Sequence, residues 1–596
     1  MSKLEHWQKQ FQQFQEQIKP WERTSRSLST WRIVLMSAAL VAAIYADQSG
    51  NSLIYGLTFL CLMMFVWLVV RHQKITAQIA MLQAKIKVTQ KLCDRCDDTW
   101  RIKAHTGTAH QKITNPLSDD LDLLGNQSLF QYLNFGVTSY GCERLSSLLL
   151  EGEREPRKIL LRQDAIRELL TQPDWWMEFA GRIQCFKNDY HHHQEPSFSD
   201  VKKRMTTFPA WFVWASFSLS FLIIVFLLLG LFQVLPYGYA AILILFHLIV
   251  SFVIRHRCSE ELASAVNYVS TLKDYRSLFA CMKQGSFQNE ILYDLQQATN
   301  QGWEGMNRLR RVMDLIGLRH NLFAVWIVGA LFPIDVASVV CFAQWRTKYG
   351  SAVLSWCEAI GEMEALISLS VIALVKEQWC FSEFCEQKEM VLEVSKGIHP
   401  LIHEAKAIPN SMILHSGTYL ITGSNMSGKT TFLRTLGTLS VLSKAGAPVC
   451  AAKMRTSFLQ VLTSIRIRDD VNAGISTFYA ELLRLKSIVD LSDQKQPMLV
   501  LIDEIFKGTN SADRILCAKT IIRKLHCPTI ITIVSTHDFE LCDLEADPAI
   551  MAHNYHFSEN YQDDEIHFDY RLRDGRSTTT NALELLRMVG IEETLK

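Results

Sequence analysis

The sequence predicts an α-helical region carrying two membrane-type hairpins and a helical core, followed by a C-terminal α/β domain on a largely parallel sheet. Three observations carry that reading. Four apolar stretches stand in two close pairs, at 33–46 with 53–70 and at 211–232 with 237–254. Three- and four-residue apolar spacing dominates the rest of the chain up to about residue 396. Beyond residue 397, short β-rich runs alternate with helical ones, the pattern of a parallel sheet with helical crossovers. The 596 residues exceed one compact domain. With 61 basic and 60 acidic residues the net charge is +1, so contact with a polyanion needs a local basic face rather than a global field. An apolar fraction of 48% and a mean hydropathy of +0.07 exclude a disordered chain. Fifteen cysteines, an odd number spread over the whole length, point to a reducing compartment rather than a disulfide framework.

The hairpins come first in order. The stretch 33–46 is short for a span, and Trp31 and Arg32 extend it at the interface; 53–70 is of full length. Both stretches of the second pair are free of formal charge and are joined by a tight turn at 233–236. Lys and Arg flank both hairpins on their outer sides, and neither inter-helix turn holds one. The positive-inside bias then places both termini and the bulky segments in the cytoplasm of a multi-pass cytoplasmic (inner) membrane protein. A third apolar run, 321–345, carries Pro333 and Asp335 at its middle and reads as a buried soluble helix, because an unpaired mid-bilayer carboxylate is costly. The expected organisation is a cytoplasmic N-terminal helix at 1–30, hairpins at 31–70 and 209–254, helical segments at 71–208 and 255–396, and the α/β domain at 397–596.

The chemistry is concentrated after residue 418. TYLIT, GSNMSGKTT and FLRTLGTL read as strand, loop and helix, and the loop fits G-x-x-x-x-G-K-[ST]. Gly423 and Gly428 let the backbone of Ser424, Asn425, Met426 and Ser427 curl so that successive N–H groups meet phosphate oxygens; Thr431 and the helix N-terminus add donors. Lys429 reaches the β- and γ-phosphates of ATP, and the Thr430 hydroxyl ligates Mg2+. The apolar run 498–502 ends in Asp503 and Glu504, at the sheet edge where ligands bind in such folds. Asp503 would hold Mg2+, and Glu504 would orient and polarise the attacking water. A further strand ends at Ser535, Thr536 and His537, whose imidazole suits a γ-phosphate sensor.

At this point the residues carry a likeness. GSNMSGKTTFLR (423–434), NAGISTFYAEL (472–482), LVLIDEIFKGTN (499–510) and STHDFEL (535–541) resemble, in order and spacing, the ATPase domain of the MutS family of DNA mismatch repair proteins. The stretch 128–149 resembles the start of that family's core helical domain, and His399–Pro400 resembles the entry to its ATPase domain. The resemblance implies a P-loop, ABC-type ATPase domain behind a core and lever region. It also implies a homodimer in which Ser476 and Thr477 approach the nucleotide bound by the other subunit and Asp513 helps couple the two sites. Where the family has an adenine-stacking aromatic, only Ala407 and Ile408 stand nearby, so aliphatic packing of Ile408 on the base is expected.

Departures from the family bear on function. The core-like region begins by about residue 120 behind a membrane hairpin, which leaves no room for a mismatch-reading domain, and no Phe-x-Glu reader is found in a suitable context. The second hairpin falls where the family inserts its DNA clamp. Two functions of different class remain open: an ATPase at the lipid bilayer associated with duplex or branched DNA, and a membrane mechanochemical or signalling ATPase that has lost DNA binding. A transporter subunit is disfavoured, because NAGIST stands where an LSGGQ-like signature would be and the helices offer no charged substrate path. Cys93-x-x-Cys96 has zinc-pair spacing without a second pair and reads as ordinary thiols; His191, His192 and His193 read as a solvated loop. The basic clusters at Lys202, Lys203 and Arg204, and at Arg308, Arg310 and Arg311 beside Arg319, fit lipid, DNA or plain solvent.

Overall fold

The computed structural model describes residues 2–49, 51–102, 106–107, 115–153, 155–186, 209–257, 259–318, 331–385, 390–466, 477–506, 511–550, 552–562 and 565–577. The chain forms two compact units, one from 1–136, 142–173 and 364–596, the other from 137–141 and 174–363.

The first unit opens with two long helices, α1 (Lys3–Ser49) and α2 (Ser52–Cys96), packed side by side along much of their length. At 1.5 Å per residue each extends about 70 Å. Asn51 caps α2, its side chain accepting the Leu53 N–H. Leu28 and Leu35 of α1 meet Leu68, Ile75 and Ile79 of α2 in an apolar seam. Past it, residues such as Ile33, Leu40, Ile44, Leu53, Phe59 and Met63 remain exposed. Both helices are long and apolar enough to cross a membrane by length and composition. Short helices follow at α3 (Pro116–Asp120) and α4 (Leu129–Leu133), then α5 (Ser139–Leu150) and α6 (Pro156–Thr171).

The second unit holds α7 (Pro173–Gln184), α8 (Ala210–Leu231), α9 (Gly238–Arg257), α10 (Ser259–Gln284), α11 (Glu290–Leu318) and α12 (Ile334–Tyr349). Within α8, Trp211–Leu231 meets the same length and composition test as α1 and α2, and Gly238–Ile254 of α9 is a shorter apolar helix. Ile254 packs with Val336 and Val339 of α12. The run expected as one buried helix at 321–345 is partly outside the described residues. Its described part starts α12 after Pro333, with Asp335 buried in the first turn. That fits proline's place at a helix start and the preference of a carboxylate for the N-terminal end of the dipole. Next comes α13 (Val353–Leu369), and α14 (Val371–Val375) returns the chain to the first unit.

The C-terminal part is an α/β domain on two sheets. Strands β1 (Glu383–Phe384), β2 (Val391–Gly397), β3 (Asn410–His415), β4 (Gly417–Thr422), β5 (Lys453–Thr456), β6 (Gln460–Ser464), β7 (Met498–Asp503), β8 (Ile530–Ser535), β9 (Ala552–Gln562) and β10 (Glu565–Asp574) alternate with α15 (Lys429–Ala445), α16 (Thr477–Ser492) and α17 (Ser511–Leu525). The larger sheet has the order β10-β9-β4-β8-β7-β6, with only the β9/β10 pair antiparallel. The smaller has the order β1-β5-β2-β3. Every residue of β4, β7 and β8 is buried, as in a parallel sheet covered on both faces. Leu485, Ile488, Ala518 and Ile522 cover one face beside Val500, Ile502 and Val534.

Candidate functional site

Register brings the chemistry to one edge. Asp503 ends β7 opposite Ser535 of β8, and Ser535 lies opposite Ile421 of β4, so the loops after all three strands leave the sheet together. Between β4 and α15, Gly423 (φ +148°) and Gly428 (φ +106°) adopt backbone that side chains rarely accept. A Cβ on Gly423 would stand 2.8 Å from both the Phe557 carbonyl oxygen and Ser427 Oγ, so glycine there is also a packing requirement. Ser427 Oγ is buried without a hydrogen-bond partner among the described residues.

Lys429 Nζ points back into this loop, donating to the carbonyls of Gly423 and Ser424 at 2.8 Å each, and lies 3.5 Å from His537 Nε2. The Thr430 hydroxyl donates to Asp503 Oδ2 at 2.7 Å, and Ser535 Oγ bonds the other Asp503 oxygen. Glu504 is turned out of the strand by a left-handed backbone (φ +49°), its N–H bonded to the Ser535 carbonyl at 3.1 Å. Its Oε1 lies 2.9 Å from His537 Nε2. Strain at a non-glycine residue is a common device for aiming a functional side chain. Ser424 Oγ bonds Glu559 of β9, and Met426, also at positive φ (+69°), is 84% exposed at the loop tip.

A cavity of about 400 Å3 opens beside Gly428 and Thr431 of this loop and helix. Ile398, His399, Ile402 and Ile408 wall one side, and Phe432, Phe557 and Tyr570 the other. Ile408 lines this cavity, and so does an aromatic to which the sequence gave no role, Tyr570. It comes from β10, 142 residues after Gly428, and sits at a register shift between Phe568 and Leu572 with φ +53°. Its ring lies 3.1 Å from the position a Gly428 Cβ would take, and Asn410 fixes its backbone by accepting from Leu572 N and donating to Tyr570 O. Burial is the first cause holding the His399 imidazole down at about 4, helped by the nearby Arg434, Lys376 and Arg101 charges. A larger cleft of about 820 Å3, lined by Phe384, Lys444, Phe458 and Arg484, lies away from these groups.

Among the other expected residues, Ser476 lies outside the described residues, Thr477 begins α16, and Asp513 is exposed in the first turn of α17. Arg466, at the end of β6, bonds Asp122, which also accepts from Arg434 of α15. Asp120, fully buried, accepts the N–H groups of Ile465 and Arg466 at 3.0 and 2.8 Å and pairs with Arg484 of α16. The sequence reading gave Asp120 and Asp122 no role, since they are more than 300 residues from their partners. Cys93 and Cys96 are thiols pushed up to about 11 and about 12, chiefly by burial; among the described residues no group of three His, Cys, Asp or Glu is placed to hold a metal. The cluster at His191, His192 and His193 and the run Lys202, Lys203 and Arg204 lie outside the described residues.

A strand–glycine loop–helix, with acidic residues ending a strand two places along the same parallel sheet, is the arrangement of this α/β domain. Residues 419–595 match the family model MutS domain V. The chain is 32% identical over 241 residues to the DNA mismatch repair protein MutS of Natronomonas pharaonis, covering 39% of this chain and 27% of that protein. It is 30% identical over 240 residues to MutS of Aquifex pyrophilus, with the same two shares, and 32% over 209 residues to DNA mismatch repair protein MutS 2 of Halobacterium salinarum, covering 34% and 24%. The chain thus spans about a quarter of the length of these curated relatives. The likeness to MutS proteins thus lies in this C-terminal region.

Proposed function

We propose that this protein is a membrane-anchored ATPase of MutS type. It binds ATP with Mg2+ on the loop 423–431 and hydrolyses it in a composite site completed by a second copy of the chain. The observation that carries the reading is the convergence of Lys429, Thr430, Asp503, Glu504 and His537 from three strand ends. The groups fit their ligands: Lys429 Nζ lies on the inner side of a glycine loop, and Thr430 Oγ1 and Asp503 Oδ2 are 2.7 Å apart, a hard-oxygen pair suited to Mg2+. Mg2+ supplies neutralisation of the phosphate charge when bound. Lys429 exchanges its carbonyl partners for β- and γ-phosphate oxygens. Glu504 accepts a hydrogen bond from the attacking water, and His537, bonded to Glu504, fixes that carboxylate and meets the γ-phosphate. Tyr570 and Ile408 enclose the base. Ser476 and Thr477 act on the partner's nucleotide, with Asp513 coupling the two sites.

The anchor is the pair of apolar hairpins at 31–70 and 209–254, in a cytoplasmic membrane with the ATPase domain in the cytoplasm. The family likeness supports association with duplex or branched DNA without base-wedge reading. A second reading, a mechanochemical or signalling ATPase that has lost DNA binding, draws support from the charges on α11. There Arg308 lies over the Tyr349 ring at 5.7 Å and Arg310 stands 3.8 Å from Asp314, so part of that basic cluster is engaged internally. ATPase rates of the purified protein and of Glu504→Gln, with and without duplex, mismatched and branched DNA over a salt series, test both. The expected loss in Glu504→Gln is about 10²–10⁴-fold in kcat with ATP still bound. Unaltered turnover in that variant would overturn the site assignment. Stimulation by DNA that falls steeply with salt supports the first reading, and indifference to DNA supports the second.

A further inference from the structure

The seam between α1 and α2 is apolar on both sides of one polar layer. Leu28 and Leu35 lie four residues before and three after Arg32; Leu68 and Ile75 stand four before and three after His72. In that layer Arg32 Nη1 donates to His72 Nδ1 at 2.9 Å. A guanidinium has no acceptor, so Nδ1 must present its lone pair and Nε2 carries the proton, which goes to Ser25 Oγ at 3.0 Å. Arg32 Nε is buried and has no hydrogen-bond partner among the described residues. A charged group held in a seam by a neutral imidazole is costly unless an anion completes its shell.

The position of the layer points to the anion. The apolar stretches 33–46 and 53–70 both end at it, on Arg32 and Arg71. Just beyond, an open groove of about 400 Å3 lies between the helices, lined by Glu22, Ser25, Arg26, Thr76 and Gln83. Thr76 is about 9 Å along the helix from residue 70, so the groove starts at the outer edge of the bilayer headgroup layer. Close by in sequence are Arg23, Arg32, Arg71 and Lys74, and Arg26, Arg32 and Arg71 have no carboxylate partner among the described residues. Trp31, Val34 and Trp67 are exposed near the polar layer in sequence, a surface for acyl chains that a free phosphate would not use.

We propose that this groove binds the phosphate headgroup of an anionic phospholipid, Arg26 in the groove and Arg32 in the adjoining polar layer taking the phosphate oxygens and Ser25 offering its hydroxyl, while the Thr76 hydroxyl stays on the His72 carbonyl. The inference rests on the membrane reading given above and adds a specific headgroup site to it. The full-length protein is floated with liposomes of phosphatidylcholine alone, or with 30 mol% phosphatidylglycerol or phosphatidylethanolamine, then extracted in mild detergent, and retained lipid is counted by native mass spectrometry. Phosphatidylglycerol should be enriched at least about fivefold over its share of the bilayer, and R26Q and the double variant R26Q/R32Q should fall to parity with phosphatidylcholine, while K74Q, outside the groove, keeps the enrichment. Arg26 is exposed, so R26Q keeps the fold and decides the matter if the double variant does not float. Equal enrichment in R26Q, equal retention of phosphatidylethanolamine, or displacement of the lipid by millimolar inorganic phosphate would overturn the site. A wild-type chain that floats with none of the liposomes sinks the membrane reading itself, an outcome distinct from loss of lipid selectivity.

Discussion

His399 shows how a single buried base ties the cavity wall to the surrounding charges. Its Nδ1 accepts the Leu401 N–H at 3.3 Å, a bond that requires the neutral ring, and Arg434, Lys376 and Arg101 add to the cost of protonation that burial sets. The folded state therefore takes up this proton only near pH 4, whereas the unfolded chain takes it up near 6.5. Below about pH 6.5 the unfolded state binds more protons, so stability contributed by the neutral ring is complete above that value and falls as pH drops toward 4. The ring edge keeps some contact with solvent, which places the total loss on the order of 1–3 kcal/mol. Chemical denaturation of H399Q between pH 4.5 and 7.5 should show a flatter stability profile than the parent over that window and the same slope above it. Parallel profiles would mean that His399 does not control the acid limb. At this scale the glycine loop between β4 and α15 was legible because it lies in consecutive residues from 423 to 431. Tyr570 was not, because its approach to Gly428 depends on a bulge in a strand with no motif of its own.

Among the elements, the short helix α3 has more weight than its five residues suggest. Asn115 caps it and Pro116 starts it, so its last residue, Asp120, is delivered to the end of β6 with both oxygens used. Replacing Asp120 by Ala leaves the buried Ile465 N–H, the half-buried Arg466 N–H and the Arg484 guanidinium without this acceptor, which should cost about 3–5 kcal/mol. Asp120→Asn, which keeps one acceptor oxygen, should cost less. Hydrogen exchange at Ile465 and Arg466 should accelerate in D120A ahead of the rest of the sheet; an unchanged rate there would show that β6 is held by its pairing with β7 alone. The parallel strands β4, β7 and β8 were legible as apolar runs bounded by turn signals, and α15, α16 and α17 from their periodicity. The smaller sheet and the β9/β10 ribbon were not. β2 and β3 alternate burial over only six or seven residues, and β9 and β10 are rich in His, Asn, Glu and Asp, with β10 pairing only with β9. The salt-bridged staple on Asp120 is a tertiary fact that no local pattern encodes.

In the first unit as a whole, the segment 398–404 is shared by two structures. Its front, at Ile398, His399 and Ile402, walls the cavity beside the glycine loop. Its back is bonded to the end of α2 and the chain just after it: Arg101 donates to the Leu401 carbonyl at 2.7 Å while held by Asp98, and His403 Nε2 lies 3.1 Å from the Cys96 carbonyl. Lys376 donates to the Ile402 carbonyl, and α1 fastens to the same region through Trp7 Nε1 on the Leu374 carbonyl at 2.9 Å and Lys3 Nζ on the Ala373 carbonyl. A ligand that fills the cavity must therefore press on a segment whose other face carries the base of the long helical hairpin. Coupling of that kind has a free energy of about 1–3 kcal/mol, or roughly 5–150-fold in an equilibrium constant, and it is reciprocal. The expected outcome is that ATP, added to the Glu504→Gln protein in detergent, slows hydrogen exchange at residues 92–102 several-fold. The same addition to the protein carrying also Arg101→Ala leaves those residues unaffected while protecting 423–431 as before. Arg101 touches no cavity atom, so loss of the distant response with the near one intact separates transmission from binding. If ATP protects 423–431 but never 92–102 in the parent, the hairpin is an anchor that nucleotide does not move.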